Sequence, residues 1–434
     1  MAENMNLRGT WSHDTLGASE ANSLAYLLLD ITQPNVVGQS EVRSPKSEMN
    51  MSLVLDTSGS MAGEKLDNLK KAVAWVIGHL SERDTVAVTL FDDEVKPLVG
   101  STRVMDRQTL TAQVEAIQEA GGTAMSKGLR VGLEEAQKAS GPGVVSRIVV
   151  LTDGQTWGDG DECLRIAEQA GAAGIPIAAL GLGADEDWSL ELLDGIARES
   201  GGQVEFVEKP EEIAGAFEGA LKQMQATTAQ NLRLSFSGAG GVAARAVYRV
   251  SPMISRLWPS IEGTNVEGSE GGVGSQLTLP LGDLQSADGQ TLLFEVVVPP
   301  RKPGSYRLAR IVLEYEVGSG KEEAALDLVV AFAEGAGQGP GDARVMNSVE
   351  KATTFKLQTR ALQASMVGDV ETASRNLRAA ATRLLSMGET ELAEASQQEA
   401  ERIETEGQAN AGATKKLTFN TRKLSVAETM RLGE

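Results

Sequence analysis

The sequence predicts an α/β protein in which a doubly wound, mostly parallel sheet is joined to a β-sandwich and followed by a C-terminal helical hairpin. Three observations carry this reading. From 49 to about 225, short apolar runs alternate with amphipathic segments at helical spacing, which indicates a parallel sheet covered on both faces. From 226 to 334 the period changes to two-residue alternation between Gly- and Pro-rich turns, the pattern of an all-β sandwich. Beyond a glycine-rich linker at 335–341, helical spacing returns over 342–407.

Length agrees with this division, because 434 residues exceed one ordinary core and imply two or three domains. Hydrophobic content of 41% fits a globular protein, and 47 glycines imply many tight turns. A formal charge of −20 argues against nucleic acid and anionic membrane as general partners. Cys163 is the single cysteine, so an intramolecular disulfide is excluded and the residue reads as a small buried hydrophobe. The polar stretch Met1–Asp14 lacks the apolar core of a signal peptide, and no run of about 18 apolar residues occurs that would span a membrane. A cytoplasmic location is the resulting expectation.

Taken in order, residues 1–48 contain one apolar segment, Ser23–Ile31, which reads as a strand without a local partner. It is expected to complete the sandwich, making the α/β region an insertion. Pro34 and Pro45 bracket the chain that follows. In the α/β region the strands are expected at 51–56, 84–91, 95–99, 146–152, 175–181 and 203–207. Helices are expected at 64–81, 106–119, 125–139, 161–173, 188–199 and 210–225. In the first of these, Leu66, Leu69, Val73, Val76, Ile77 and Leu80 recur at helical spacing and define one buried face. Sandwich strands are expected at 231–237, 242–250, 275–281, 291–298, 305–317 and 324–333, with turns that include 263–274 and Pro299-Pro300. Helices at 342–366 and 369–406 form the hairpin; Gly368–Leu385 resembles half of a tetratricopeptide repeat, too little for a solenoid.

In such sheets ligands sit at the carboxyl ends of the strands. Three loops fall there: Asp56-Thr57-Ser58-Gly59-Ser60, Gly121-Gly122-Thr123-Ala124-Met125 and Thr152-Asp153-Gly154. Together they offer two carboxylates and three hydroxyls to a small hard cation. Mg²⁺ prefers six oxygens at about 2.0–2.1 Å and keeps several waters, so a site with few carboxylates suits it better than Ca²⁺, with Mn²⁺ also open.

These loops resemble the metal-ion-dependent adhesion site of von Willebrand factor type A (VWA) domains. The resemblance covers about 175 residues and rests on Asp56, Ser58 and Ser60 as DxSxS, on Thr123, and on Asp153, within VLDTSGSM, GGTAMSKGL and VVLTDG. It implies a Rossmann-like VWA fold in which Ser58, Ser60 and Thr123 ligate the metal directly or through water. Asp56 and Asp153 would act mainly through water and hydrogen bonds, and the open coordination position would take a carboxylate of a protein partner. The layout with a discontinuous sandwich is similar to that of inter-alpha-trypsin inhibitor heavy chains.

A strand ending in Asp also opens phosphotransferase sites of the haloacid-dehalogenase type. That chemistry needs a second acid two places on, where this chain has Ser58, and an acidic pair at a strand end, whereas Asp159 and Asp161 lie in the turn Trp157-Gly158-Asp159-Gly160-Asp161. His13 and His79 lack zinc-ligand spacing. A non-enzymatic, metal-dependent protein–protein interaction module is therefore expected. The alternative is a VWA subunit of an ATPase- or chelatase-type machine, whose ATP chemistry would come from a partner because the chain has no GxxxxGK[ST] loop. The basic stretch Lys415–Leu424 reads as part of a flexible tail over 408–434, or as a segment phosphorylated at Thr418 or Thr421 for a phosphopeptide-binding partner.

Overall fold

The computed structural model describes residues 5–33, 47–154, 158–183, 188–259, 275–285, 289–337, 339–407 and 411–424. Pro34, Pro45, Trp157, the turn expected at 263–274 and the last ten residues of the expected tail lie outside them.

Three strands come first: β1 (Asn6–Trp11), β2 (Thr15–Gly17) and β3 (Ser23–Thr32). The α/β body runs β4 (Glu48–Asp56), α1 (Glu64–His79), β5 (Thr85–Phe91), β6 (Val95–Arg103), α2 (Arg107–Glu115) and α3 (Met125–Ala139). It continues through β7 (Val144–Thr152), α4 (Gly160–Ala172), β8 (Ile177–Leu182), α5 (Leu190–Ser200), β9 (Gln203–Val207) and α6 (Ile213–Gln225). The strands β10 (Thr227–Gly238), β11 (Ala243–Ser251), β12 (Ser255–Trp258), β13 (Gln276–Gln285), β14 (Gln290–Val298), β15 (Gly304–Val317) and β16 (Gly320–Ala333) follow. Four helices end the described chain: α7 (Ala343–Met366), α8 (Val370–Ser386), α9 (Thr390–Glu406) and α10 (Ala411–Arg422).

The α/β sheet has the order β6-β5-β4-β7-β8-β9, parallel except for β6 at one edge. β4 lies at its middle, buried on both faces: Met51, Leu53 and Leu55 pack with α1 residues such as Leu69 and Val73, and Val54 packs with Leu129 and Leu133 of α3. The six apolar residues that define one face of the first helix are all buried. Cys163 of α4 is buried as well, and burial, with the nearby Asp159, pushes its thiol up to about 12, which makes it an inert core residue.

The sandwich consists of two five-stranded sheets, β1-β3-β14-β11-β12 and β13-β10-β15-β16-β2. The strand without a local partner, β3, pairs antiparallel with β1 and with β14, so the α/β body is threaded between β3 and the later sandwich strands. Its near-continuous apolar run has a physical cause. Leu27, Leu29 and Ile31 enter the sandwich core, while Leu28 on the opposite face packs with Val345, Phe355 and Leu384 of the helices. The short strands β1, β2 and β12 escaped the sequence reading because few of their residues are apolar or alternate.

The C-terminal part differs from the expected hairpin. The segment 369–406 is two helices, because the chain turns at Met387-Gly388-Glu389 with Gly388 in the left-handed region at φ +80°. The expected tail is a helix where it is described. α10 packs on α7 and α9, Thr418 and Thr421 are fully buried, and Thr418 Oγ1 donates to the Thr414 carbonyl at 2.9 Å. Neither threonine presents its hydroxyl to a modifying enzyme in this fold.

The α/β body and the sandwich meet along a tight seam. Arg147 at the amino end of β7 is paired with Asp283 of β13 at 3.2 Å, both side chains buried. Gly201 and Gly282 face each other there, both at positive φ, and a Cβ on either would collide with the other's backbone. Gly282→Ala is expected to destabilise the protein by more than about 1 kcal/mol, read as a lower urea-unfolding midpoint with the fold otherwise retained.

Candidate functional site

β4 and β7 are in-register neighbours, so the loops leaving their carboxyl ends emerge together. Asp56 is the last residue of β4, and Asp153 directly follows the last residue of β7. Both carboxylates are buried. Asp56 accepts from the Ser58 backbone N–H through Oδ1 at 2.9 Å and from the Thr152 hydroxyl through Oδ2 at 2.6 Å. The hydroxyls of Ser58 and Ser60 lie 3.1 Å apart, and Ser60 Oγ donates to Asp153 Oδ1 at 2.6 Å. Thr123 arrives from the loop before α3, where a Cβ added to Gly154 would stand 3.6 Å from its Oγ1. The structure thus places all five sequence-predicted residues at one sheet edge, four of them in a continuous hydrogen-bonded cluster.

Backbone hydrogen bonds lock these loops to one another. The N–H of Thr57 donates to the Phe91 carbonyl at 3.0 Å, that of Gly59 to Gly121 at 3.1 Å, that of Ala120 to Thr57 at 2.8 Å and that of Ala124 to Asp92 at 2.7 Å. Asp159 has a structural role, since its Oδ2 accepts from the Ser126 N–H at 2.9 Å and so satisfies an orphan donor in the first turn of α3.

Sequence reasoning missed Lys65, the second residue of α1, whose ammonium donates to Asp153 Oδ2 at 2.5 Å. It also passed over Thr152 as the hydroxyl that holds Asp56. Neither carries a pattern distinguishing it from other lysines and threonines; only the fold brings it to the site.

Burial pushes the Asp56 carboxyl above the ordinary carboxylate range. Hydrogen bonds from Ser58 and Thr152 oppose the rise, and the negative charge of Asp153 adds to it. The cluster therefore holds two buried carboxylates against one ammonium, with hydroxyl oxygens beside them. Among the described residues no group of three or more His, Cys, Asp and Glu side chains could hold a metal, so a cation here would rely on hydroxyls. This donor set, two carboxylates with hydroxyl oxygens beside them, suits a hard divalent ion. The two histidines lie elsewhere: His13 contacts the Gly339 carbonyl at 3.0 Å, and His79 the Trp75 carbonyl at 2.8 Å.

Residues 50–218 match the family model of the von Willebrand factor type A domain. The chain contains a VWA domain. Residues 343–427 match a second model, the Sll0103-like, C-terminal alpha-helical domain. The protein sll0103 of Synechocystis sp. is 27% identical over 282 residues, 65% of this chain and 64% of that one. Inter-alpha-trypsin inhibitor heavy chain H1 of Mesocricetus auratus is 28% identical over 196 residues, 42% of this chain and 21% of the relative. The chain thus spans less than two thirds of the length of either relative. A solved von Willebrand factor type A structure from Catenulispora acidiphila superposes with a TM-score of 0.76 at 19% identity, covering 97% of both chains. That likeness shows the fold, a VWA α/β body with additional sheets and a C-terminal helical part. VWA domains generally mediate protein–protein interactions and commonly bind a divalent metal. Among the described residues no helix is long and apolar enough to cross a membrane.

Lys65→Met is expected to cost about 1–3 kcal/mol by leaving the Asp153 carboxylate buried without its charged donor, measured by urea unfolding in EDTA.

Proposed function

We propose that this chain is a non-enzymatic interaction protein. Its VWA domain holds a divalent cation, preferentially Mg²⁺, at Asp56, Ser58, Ser60, Thr123 and Asp153, and offers an open coordination position to an Asp or Glu of a partner protein. The observation that supports this most directly is the cluster in which Ser58, the exposed Ser60 and Asp153 are linked by hydrogen bonds beside the buried Asp56. Two carboxylates face one ammonium there, so the cluster carries a surplus of negative charge that a cation would offset.

The residues divide by how they are held. Both Asp56 oxygens are engaged by protein donors, which suits a role through bridging water rather than direct ligation. A hydroxyl oxygen can accept or ligate while its proton is donated elsewhere, so Ser58, Ser60 and Thr123 suit direct contact. A bound cation would supply a Lewis-acidic position, and the chain's own part is to fix the loops so that this position faces outward. Lys65 shares Asp153 with any such ion and would weaken its hold, which fits an affinity completed by the partner's carboxylate.

Isothermal titration with Mg²⁺ tests the metal: binding by wild type and its loss in Asp56→Ala is the expected result. Undiminished binding in Asp56→Ala, or none by wild type, would sink the metal assignment. A pull-down with wild type and Asp56→Ala, with and without EDTA, extends the test to the partner, which should be retained only by metal-loaded wild type.

A further inference from the structure

Where the α/β body, the sandwich and α10 meet, a small open cleft is left that the VWA site does not use. Its walls include Asp194 and Arg198 of α5, Gln203 of β9, Arg249 of β11, Ile254 just before β12, and Arg422 of α10. Three guanidinium groups thus face one carboxylate. Arg249 is only 4% exposed, and among the described residues its guanidinium makes one hydrogen bond, from Nη2 to the Leu281 carbonyl at 3.0 Å, while its buried Nε–H has no partner there. Arg422, also 4% exposed, has taken the one lining acid: its Nη1 donates to Asp194 Oδ1 at 2.6 Å, and its Nε–H is likewise buried without a partner. Arg198 is paired outside the lining with Glu199 at 3.1 Å.

A buried guanidinium is costly unless its charge is paired and its donors are used. Counting Glu199 with the lining groups, three positive charges stand against two negative, and the surplus falls on the side chain with the fewest partners, Arg249. Burial brings its guanidinium down to about 10, in line with that deficit. The missing group is one with negative charge and several acceptor oxygens. Guanidinium forks match oxyanions because parallel N–H donors meet two oxygens of one group.

We propose that this cleft binds a small oxyanion of the phosphate class, held by Arg249 and Arg422 with Arg198 beside them. Such an anion ties three parts of the chain together: β11 of the sandwich, α5 of the VWA domain and α10. It therefore stabilises the docking of α10 by binding only the assembled arrangement. The proposal is independent of the metal reading, since none of these residues belongs to the Asp56–Asp153 cluster.

The test titrates inorganic phosphate into the full chain by calorimetry, with chloride holding ionic strength constant. Saturable binding by wild type is expected, weakened about tenfold or more in Arg249→Gln, which removes one charged donor group. Asp194→Asn, which frees the Arg422 fork from its internal carboxylate, should bind phosphate more tightly than wild type, a gain that a purely structural role would not produce. Sulfate should compete. Should Arg249→Gln fail to fold by circular dichroism, Arg198→Gln carries the same expected loss. Absence of saturable binding in wild type, or equal affinity in wild type, Arg249→Gln and Asp194→Asn, would overturn the proposal.

Discussion

Parallel pairing of β4 with β7, in register from Glu48 and Val144 to Leu55 and Leu151, is the constraint on which the VWA site depends. It fixes where Asp56 and Asp153 leave the sheet and brings them close enough for Thr152 and Ser60 to hydrogen-bond across the gap. Strands buried on both faces must satisfy every polar side chain they carry. On the α3 side of β4 the donors are used, Asn50 donating to the Ala136 carbonyl at 2.7 Å and Ser52 to that of Gly132 at 2.8 Å. Those bonds seat α3 close against the strand, at a distance where a Cβ on Gly132 would collide with Val54. Thr123 reaches the site because α3, and so the loop before it, is placed in this way.

A second constraint is the way the VWA domain is threaded into the sandwich. The chain leaves β3 for the α/β body and returns in β10, so the two units share a seam instead of a hinge. Charge and shape both hold it: Arg147 meets Asp283 across the boundary, Arg233 of β10 donates to the carbonyls of Gly171 and Ala172 at 2.8 Å, and paired glycines allow the backbones to touch. The Asp283 side chain is buried, and burial raises its carboxyl while Arg147 opposes the rise, so each charge depends on the other. A VWA site fixed this firmly relative to the sandwich is well suited to present one face to a partner.

The α/β body was legible in the sequence because its strands are apolar on both faces and its helices on one, a contrast that periodicity detects. The five candidate site residues were legible because they follow strand ends or precede a helix, where side chains are available for chemistry. Lys65 and Thr152 were not legible, since their importance comes from the β4–β7 pairing and from the angle of α1, neither of which leaves a local pattern. The break between α8 and α9 was missed because residues on both sides are good helix formers and only Gly388 marks the turn.

α10 was misread for a more general reason. A run holding Lys415, Lys416, Arg422 and Lys423 in an acidic protein looks solvated when read alone, because isolated charges are costly to bury. In the fold all four of these cations have local partners, Lys423 lying 4.8 Å from the centre of the Phe419 ring. Lys415 donates to the Trp188 carbonyl at 2.8 Å and lies 4.1 Å from the centre of its ring, Lys416 pairs with Glu208 at 2.7 Å, and Arg422 pairs with Asp194 at 2.6 Å. The residues between them supply the apolar contact, with Phe419 set against Phe206 and Leu417 beside Ile403 of α9. The VWA surface it covers is itself acidic at these points, so the basic composition that suggested a tail is the complement of its docking site. Composition reports a segment's charge but not the charge of the surface it will meet, and for α10 that surface decides the outcome.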